Sequence, residues 1–191
     1  VQPMVMNSTL YINSPQLGTH FDLRNQAQSS RLAWINAGSR AQIGDVINTN
    51  NTEYPVGSND GLNVISLVPG DYKFLLFNTL NSMGAGGVTI TYRSFLFFGE
   101  VYSTDILVNA DELKNTANAL SVGYDYNSSY QTYFQNIMTH EYGHYLGLGH
   151  SSPTVPNAIM APVASLEYAL KVRSLTQDDI DGVRAIYQNC K

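Results

Sequence analysis

The sequence has few charged residues and no long apolar run, and each of these shortages excludes a class of protein. Charged residues make up 13% of the 191 residues, whereas an average soluble domain has about 25%. The formal net charge is −5 and no stripe of lysine and arginine is present, so a nucleic-acid partner is not expected. The apolar clusters at residues 74–77 and 95–98 are only strand-sized, and a membrane-spanning helix needs roughly 20 residues. We therefore expect no membrane span.

Cysteine and histidine are also scarce. Cys190 is the single cysteine, which excludes a disulfide framework within the chain and a metal site built from thiolates. Only four histidines remain as nitrogen ligands. Hydrophobic residues nevertheless reach 43%, enough for a sizeable core, so intrinsic disorder is excluded. The length fits one domain. The chain begins at Val1 with no signal-peptide pattern, so we expect a processed or trimmed chain.

The hydrophobic pattern predicts a mixture of short strands and helices. Runs of β-branched and aromatic residues bounded by glycine, asparagine and proline predict strands at residues 5–12, 43–47, 62–68, 72–77, 88–93 and 101–109. Apolar residues at helical spacing predict helices at residues 21–37 and 130–146. Gly38 is expected to end the first helix, and residues 83–87 are expected to form a flexible connection between strands. A last helix begins at Thr176, where Asp179 completes a pattern close to a capping box, and we expect it only to pack in the core.

Three of the four histidines lie within residues 140–150. Residues i and i+4 of a helix lie one above the other, so His140 and His144 present two imidazoles to one point. Glu141 is close enough in angle to reach the open side of a metal held there. Gly147 allows the helix to end, because glycine readily adopts positive φ. The chain can then turn back, so that His150 provides a third nitrogen.

Three neutral nitrogens with an open fourth position are typical of a catalytic zinc site. A structural site would be closed by a fourth ligand, often cysteine, and none is nearby in the sequence. Zinc lowers the pKa of its bound water to about 7 and polarises a carbonyl oxygen. Glu141 would accept the proton of that water and pass it to the leaving amine. A lone histidine is more often a hydrogen-bonded core residue, but here several residues fit the same chemistry.

The pattern His-Glu-x-x-His-x-x-Gly-x-x-His resembles the signature of the metzincins. Residues 157–162 (NAIMAP) resemble the Met-turn of that group, in which Met160 would be the hydrophobic base beneath the metal. Met160 alone would be read as a core filler. Ser151, which follows the last histidine of the pattern, and residues 175–187 are similar to the matrixins, the family of the matrix metalloproteinases. The clear resemblance covers residues 133–187.

The resemblance implies an α+β, zincin-like fold in a single domain over residues 1–191. An upper lobe of about residues 1–147 would hold a twisted, mixed five-stranded sheet and two long helices. A small lower lobe of about residues 148–191 would hold the Met-turn and the C-terminal helix. Substrate would lie extended and antiparallel to an edge strand, for which residues 88–92 are our candidate; the alternative is an interior strand. The residues expected to line the substrate cleft are Val88, Thr89, Ile90, Ala161, Pro162 and Val163.

Two further metal sites are considered in the light of this resemblance. Vertebrate-type matrixins hold a second, structural zinc with further histidines, and only His20 is left here, so a second zinc is not expected. Acidic residues are candidate calcium ligands at Asp105, Asp111, Glu112 and Asp125. Scattered acids in turns are usually only solvated, so calcium is the weaker expectation.

The resemblance and the histidine pattern together predict a zinc-dependent endopeptidase. It would hydrolyse extended protein or peptide substrates through a zinc-bound water activated by Glu141, as a secreted, extracellular monomer. One alternative is a secreted recognition or adhesion module that carries zinc but has little turnover, which the intact Glu141 disfavours. Another is a zinc hydrolase of non-peptide amides, which only the family resemblance disfavours.

Overall fold

The computed structural model describes residues 4–7, 23–38, 43–49, 61–75, 78–93, 101–113, 115, 126–162, 168 and 174–187. The chain forms two compact units. The first comprises Val1–Arg24 and Gly44–Asn115, and the second comprises Asn25–Ile43 and Thr116–Lys191. The single domain with a lobe boundary near residue 147 stays a prediction.

Strands predominate in the first part of the chain, and two helices follow the last strand. The strands are β1 (Met4–Asn7), β2 (Val46–Thr49), β3 (Asn63–Val68), β4 (Lys73–Leu75), β5 (Asn78–Thr79), β6 (Gly87–Arg93) and β7 (Val101–Asn109). The helices are α1 (Arg24–Asn36), α2 (Leu80–Met83), α3 (Tyr126–Tyr145) and α4 (Gln177–Tyr187). The periodic segments are confirmed, with β7 at its predicted bounds, and shifts of up to four residues elsewhere. Residues 8–12 and 76–77 of the predicted strands lie outside the described residues.

The connection into β6 differs from the prediction. Residues 83–87 do not link two strands, because α2 precedes them and Met83 is its last residue. The buried Leu80 packs in an apolar cluster with Val68 and Leu107. The amide of Ala85 donates to Leu80 O at 3.1 Å. A single buried leucine thus stabilises a helical turn that is too short to show helical periodicity.

One mixed sheet runs through the first unit, in the order β2-β1-β3-β7-β6. The strand β1 is parallel to both β2 and β3, and β3 is parallel to β7. The strand β6 is antiparallel to β7 and lies at the edge. The α+β class and the mixed sheet are therefore confirmed. Among the described strands β6 pairs with β7 alone, which favours the edge position of residues 88–92 over the interior alternative.

Asn109 fixes the position of the chain segment that leads into the edge strand β6. Its side chain is buried, and its Nδ2 donates to Asn81 Oδ1 at 3.1 Å and to Ala85 O at 3.3 Å. Its Oδ1 accepts hydrogen bonds from the amides of Asp111 and Glu112, both at 3.1 Å. One buried amide therefore joins the end of β7 to the segment that begins β6.

In the second unit, α1 and α3 pack through a polar seam. Trp34 Nε1 donates to Thr139 O at 2.8 Å, and Ser30 Oγ lies 3.0 Å from Thr139 Oγ1. Gly38 ends α1 with φ of +79°, as expected for a glycine at a helix C-terminus. Of the described helices, none combines the length and the apolar character required to cross a membrane.

Candidate metal centre

The last turn of α3 and the loop after it bring the three histidines together. Gly147 has φ of +90°, a conformation that favours glycine. The amide of Leu148 donates to Gly143 O at 3.0 Å, which closes the end of the helix. The chain then reverses towards the helix. As predicted, His150 comes back to the face that carries His140 and His144.

The three imidazoles meet at their Nε2 atoms. The Nε2 of His144 lies 3.1 Å from that of His140 and 3.1 Å from that of His150. Nitrogen ligands about 2.0–2.1 Å from a tetrahedral zinc ion are about 3.4 Å apart. The observed separations are close to this value, so a single zinc ion fits among the three atoms.

Hydrogen bonds on the far side of two rings show which nitrogens are available. His140 Nδ1 lies 2.7 Å from Ile159 O, and His144 Nδ1 lies 2.9 Å from Leu148 O. A carbonyl oxygen only accepts, so both Nδ1 atoms carry the proton and both Nε2 atoms are bare when the rings are neutral. Two lone pairs that face each other at 3.1 Å repel unless a cation lies between them. The donor set therefore fits a metal ion.

Burial favours the neutral form of His140, which is the form that binds a cation. It lowers the pKa of His140 from 6.5 to about 4. The pKa of His150 is also lowered, first by burial and then by the nearby His144. Both rings are accordingly neutral near pH 7.

Glu141 lies on α3 directly after the first histidine of the cluster. Its side chain is 4% exposed, which is unusual for a carboxylate, because charged groups are rarely buried without a role or a partner. The structure therefore places a buried acid one residue from His140, and its reach to a bound metal stays a prediction.

A short turn at Ala158–Ala161, here called the Met160 turn, is held from several sides. The amide of Ala161 donates to Ala158 O at 3.2 Å. The amide of Ser151 donates to Met160 O at 2.7 Å, which connects the turn to the residue after His150. Met160 itself is 1% exposed. Ile159 O, the hydrogen-bond partner of His140 Nδ1, belongs to this turn. The position of the turn therefore affects the orientation of His140, a candidate metal ligand.

Asp179 is a residue of this site that sequence reasoning missed. It is 2% exposed, and its carboxylate accepts from the amides of Ile159 at 3.0 Å and Met160 at 3.1 Å. Its Oδ2 also accepts from Thr176 N and Thr176 Oγ1, both at 2.8 Å. The capping box is thus confirmed, but the view of α4 as a packing helix alone was wrong. The only feature of the sequence that could have indicated this contact is an acidic residue at the capping position, before the apolar residues of the helix.

Tyr168 also holds the Met160 turn. Its hydroxyl donates to Ala158 O at 2.8 Å. Burial raises the pKa of this phenol, and Asp179 raises it further, so it remains a donor.

The predicted cleft residues fall in different parts of the structure. Val88, Thr89 and Ile90 lie on the edge strand β6 of the first unit. Ala161 and Pro162 follow Met160 in the second unit, and Val163 lies outside the described residues. The substrate cleft stays a prediction.

The three calcium candidates that the structure describes, Asp105, Asp111 and Glu112, belong to no group of three or more ligand side chains among the described residues. Within the described ranges, the histidine, cysteine and acidic residues that could hold a metal are His140, His144 and His150. Asp105 Oδ1 accepts from Val64 N at 3.1 Å, and Asp111 Oδ2 accepts from Gly70 N at 2.9 Å. Asp125 and His20 lie outside the described residues. Calcium remains a prediction.

Comparison with known proteins agrees with this geometry. A model of the matrixin family matches residues 20–188. Matrilysin of Rattus norvegicus is 46% identical over 54 residues, which are 28% of this chain and 19% of that protein. Neutrophil collagenase of Homo sapiens is 50% identical over 54 residues, 27% of this chain and 10% of that protein.

A plant protein is similar to the same extent. Metalloendoproteinase 1 of Glycine max is 47% identical over 53 residues, 28% of this chain and 16% of that protein. In each of these three relatives the aligned stretch spans less than a fifth of the protein's length.

Proposed function

The chain belongs to the matrixin family, and from this membership we propose that it is a zinc-dependent endopeptidase acting on extended protein or peptide substrates. The observation that carries the proposal is the convergence of the Nε2 atoms of His140, His144 and His150, with the buried Glu141 one residue after His140 on the same helix. Family membership supports an extracellular location, which we include in the proposal together with a monomeric state.

We propose that His140, His144 and His150 hold the zinc ion. Their donor set leaves a fourth position open, as in catalytic sites. When bound, zinc acidifies water and polarises a carbonyl oxygen. The hydrogen bonds to Ile159 O and Leu148 O orient the rings of His140 and His144 and increase their basicity, as the second layer of contacts around metal ligands commonly does.

Glu141 is the proposed proton carrier. Its carboxylate accepts a proton as the nucleophile forms and returns that proton to the leaving amine, which departs as a neutral amine. Burial suits this task, because a carboxylate in a site with little water exchanges its proton with the substrate rather than with solvent.

The proposed Met-turn is the Met160 turn. Its hydrogen bonds to Asp179 and Ser151 support this assignment, since they fix Met160 beside the residue that orients His140. For the substrate, the edge position of β6 supports pairing with an extended peptide, because an edge strand can accept a further strand through its main chain.

Replacing Glu141 tests the proposed chemistry. Glu141→Ala is expected to retain zinc, measured by metal analysis, and to lose peptide cleavage by at least about 100-fold, the usual contribution of a general base. Asp71→Ala removes an exposed carboxylate of the first unit and should leave cleavage unchanged. A Glu141→Ala protein that cleaves casein like the unsubstituted chain would refute the assignment.

A chelator separates the endopeptidase from the recognition module. Casein and gelatin are incubated with the protein, with and without a chelator, and both cleavage and binding are measured. The endopeptidase loses cleavage on chelation and regains it when zinc is returned. Zinc-dependent binding without any cleavage would instead favour the recognition module.

A further inference from the structure

Gly143, which lies between the two histidines of α3, marks a place where other side chains come unusually close to the helix. A β-carbon at this position would lie well inside contact distance of Met160 Sδ. It would also lie 3.0 Å from Met160 Cε and 3.0 Å from Trp34 Cζ2. The thioether and the indole therefore occupy the space that a side chain at residue 143 would need.

Trp34 is held firmly in this place. It is fully buried, and its Nε1 donates to Thr139 O at 2.8 Å, one residue before His140. Thr139 Oγ1 in turn lies 2.7 Å from Gln135 O. A buried indole that makes its one hydrogen bond has little freedom to shift.

Met160 is held on its other side by groups already described. Asp179 accepts from its amide, and Ser151 donates to its carbonyl. Its neighbour Ile159 orients the ring of His140. A displacement of Met160 would therefore move the carbonyl that sets the tautomer and direction of a proposed zinc ligand.

We propose that Trp34 is a positioning residue for the zinc centre, acting through two contacts. Its indole ring and the Met160 thioether together occupy the space beside Gly143, and its N–H fixes the carbonyl that precedes His140. The inference rests on the proposed zinc site, but it concerns α1, a helix that contributes no ligand. Trp34 and Gly143 thus act as a socket for Met160.

Two variants alter the socket in different ways. Trp34→Phe removes the N–H and one ring, and Gly143→Ala adds a methyl group where the thioether lies. Contacts that orient metal ligands typically change metal affinity by about 10–100-fold when they are removed. We expect both variants to release zinc at least about tenfold faster to a chromophoric chelator, at a temperature where each is fully folded.

The matched control is Phe134→Leu. Phe134 is a fully buried residue of the same helix α3, so its truncation lowers the melting temperature through lost core packing. Its zinc release should stay within about twofold of the unsubstituted chain. Loss of stability and loss of zinc retention are separated in this way.

Trp34 also provides a readout that does not depend on substitution. It is the one tryptophan of the chain, so the intrinsic tryptophan emission comes from this indole alone. Zinc added to the metal-free protein should change the wavelength or intensity of that emission. In Gly143→Ala, which retains Trp34, the zinc-dependent change should be smaller.

The outcomes distinguish this inference from the function on which it rests. Folded Trp34→Phe and Gly143→Ala proteins that release zinc at the unsubstituted rate would overturn the socket and leave the peptidase proposal intact. Emission that does not respond to bound zinc would overturn it as well. A chain that binds no zinc would overturn both proposals. If Trp34→Phe does not fold, Gly143→Ala and the emission of the unsubstituted chain still decide the question.

Discussion

At the scale of single residues, the spacing of three histidines was enough to predict a common metal site. The local sequence dictates this result, because i and i+4 on a helix share a face and Gly147 permits the return of His150. The protonation of the rings was beyond sequence reasoning. For His140 it depends on Ile159 O, which lies 19 residues away along the chain.

Tyr142 leads to a prediction about stability. It lies fully buried between His140 and His144, and its hydroxyl has no hydrogen-bond partner in the part of the chain that the structure describes. A buried polar group left unsatisfied costs about 1–3 kcal/mol. We expect Tyr142→Phe to raise the free energy of unfolding by about 1 kcal/mol, measured by urea denaturation.

Tyr187 is the matched control for this change. Its hydroxyl donates to Leu146 O at 3.0 Å, so Tyr187→Phe should lower the free energy of unfolding by about 1 kcal/mol. If both variants lose the same stability, the hydroxyl of Tyr142 must have a partner in the folded chain, and the prediction is wrong.

At the scale of elements, the carboxylate of Asp179 joins α4 to the Met160 turn. The helix begins where the sequence predicted, because Thr176 and Asp179 cap it from within four residues. The same carboxylate accepts two amides of the turn, and nothing in the local pattern indicates this second use. An element boundary is a local property, whereas the partner of a buried acid depends on which chain segment folds against it.

Asp179→Asn tests the importance of this connection. The side-chain NH2 group of the asparagine would lie opposite the backbone amide of Ile159 or of Met160. Two hydrogen-bond donors would then face each other. We expect the free energy of unfolding to fall by about 2–3 kcal/mol, because hydrogen bonds to a buried charge are lost and one donor is left unpaired. Denaturant unfolding of the zinc-loaded protein measures the loss.

Asp181 on the same helix provides the control. It is exposed, and its Oδ1 accepts from Gln177 Nε2 at 2.7 Å. Asp181→Asn should change the free energy of unfolding by less than about 0.5 kcal/mol. Similar losses for the two substitutions would show that helix charge, and not the contact with the Met160 turn, determines the effect.

At the scale of the whole molecule, the chain divides into two compact units with different content. The mixed sheet belongs to the first unit, and the three histidines, the Met160 turn and α4 belong to the second. Zinc that binds only the folded chain stabilises it by mass action, by about 2.7 kcal/mol at a free concentration 100 times the dissociation constant. All of its proposed ligands lie in the second unit.

Removing zinc should therefore affect the two units unequally. On chelation we expect faster amide hydrogen exchange at residues 140–160 and 176–187, because metal binding is coupled to local folding. Exchange in β3 and β7, the central strands of the sheet, should change little. Mass spectrometry of peptic fragments measures both regions in one experiment. An equal increase throughout would contradict the prediction and indicate that the chain opens as one cooperative unit.

The sequence by itself determined the convergence of the three histidines, the strands and helices of clear periodicity, and the capped start of α4. These properties depend on residues close together in the chain, where spacing translates directly into geometry. The tertiary structure decided that Asp179 and Tyr168 hold the Met160 turn, that Trp34 and Met160 both lie against Gly143, and that Leu80 stabilises the short helix α2. Each of these contacts joins segments far apart in sequence or too short to show a period, so only packing and the pairing of buried polar groups could select them.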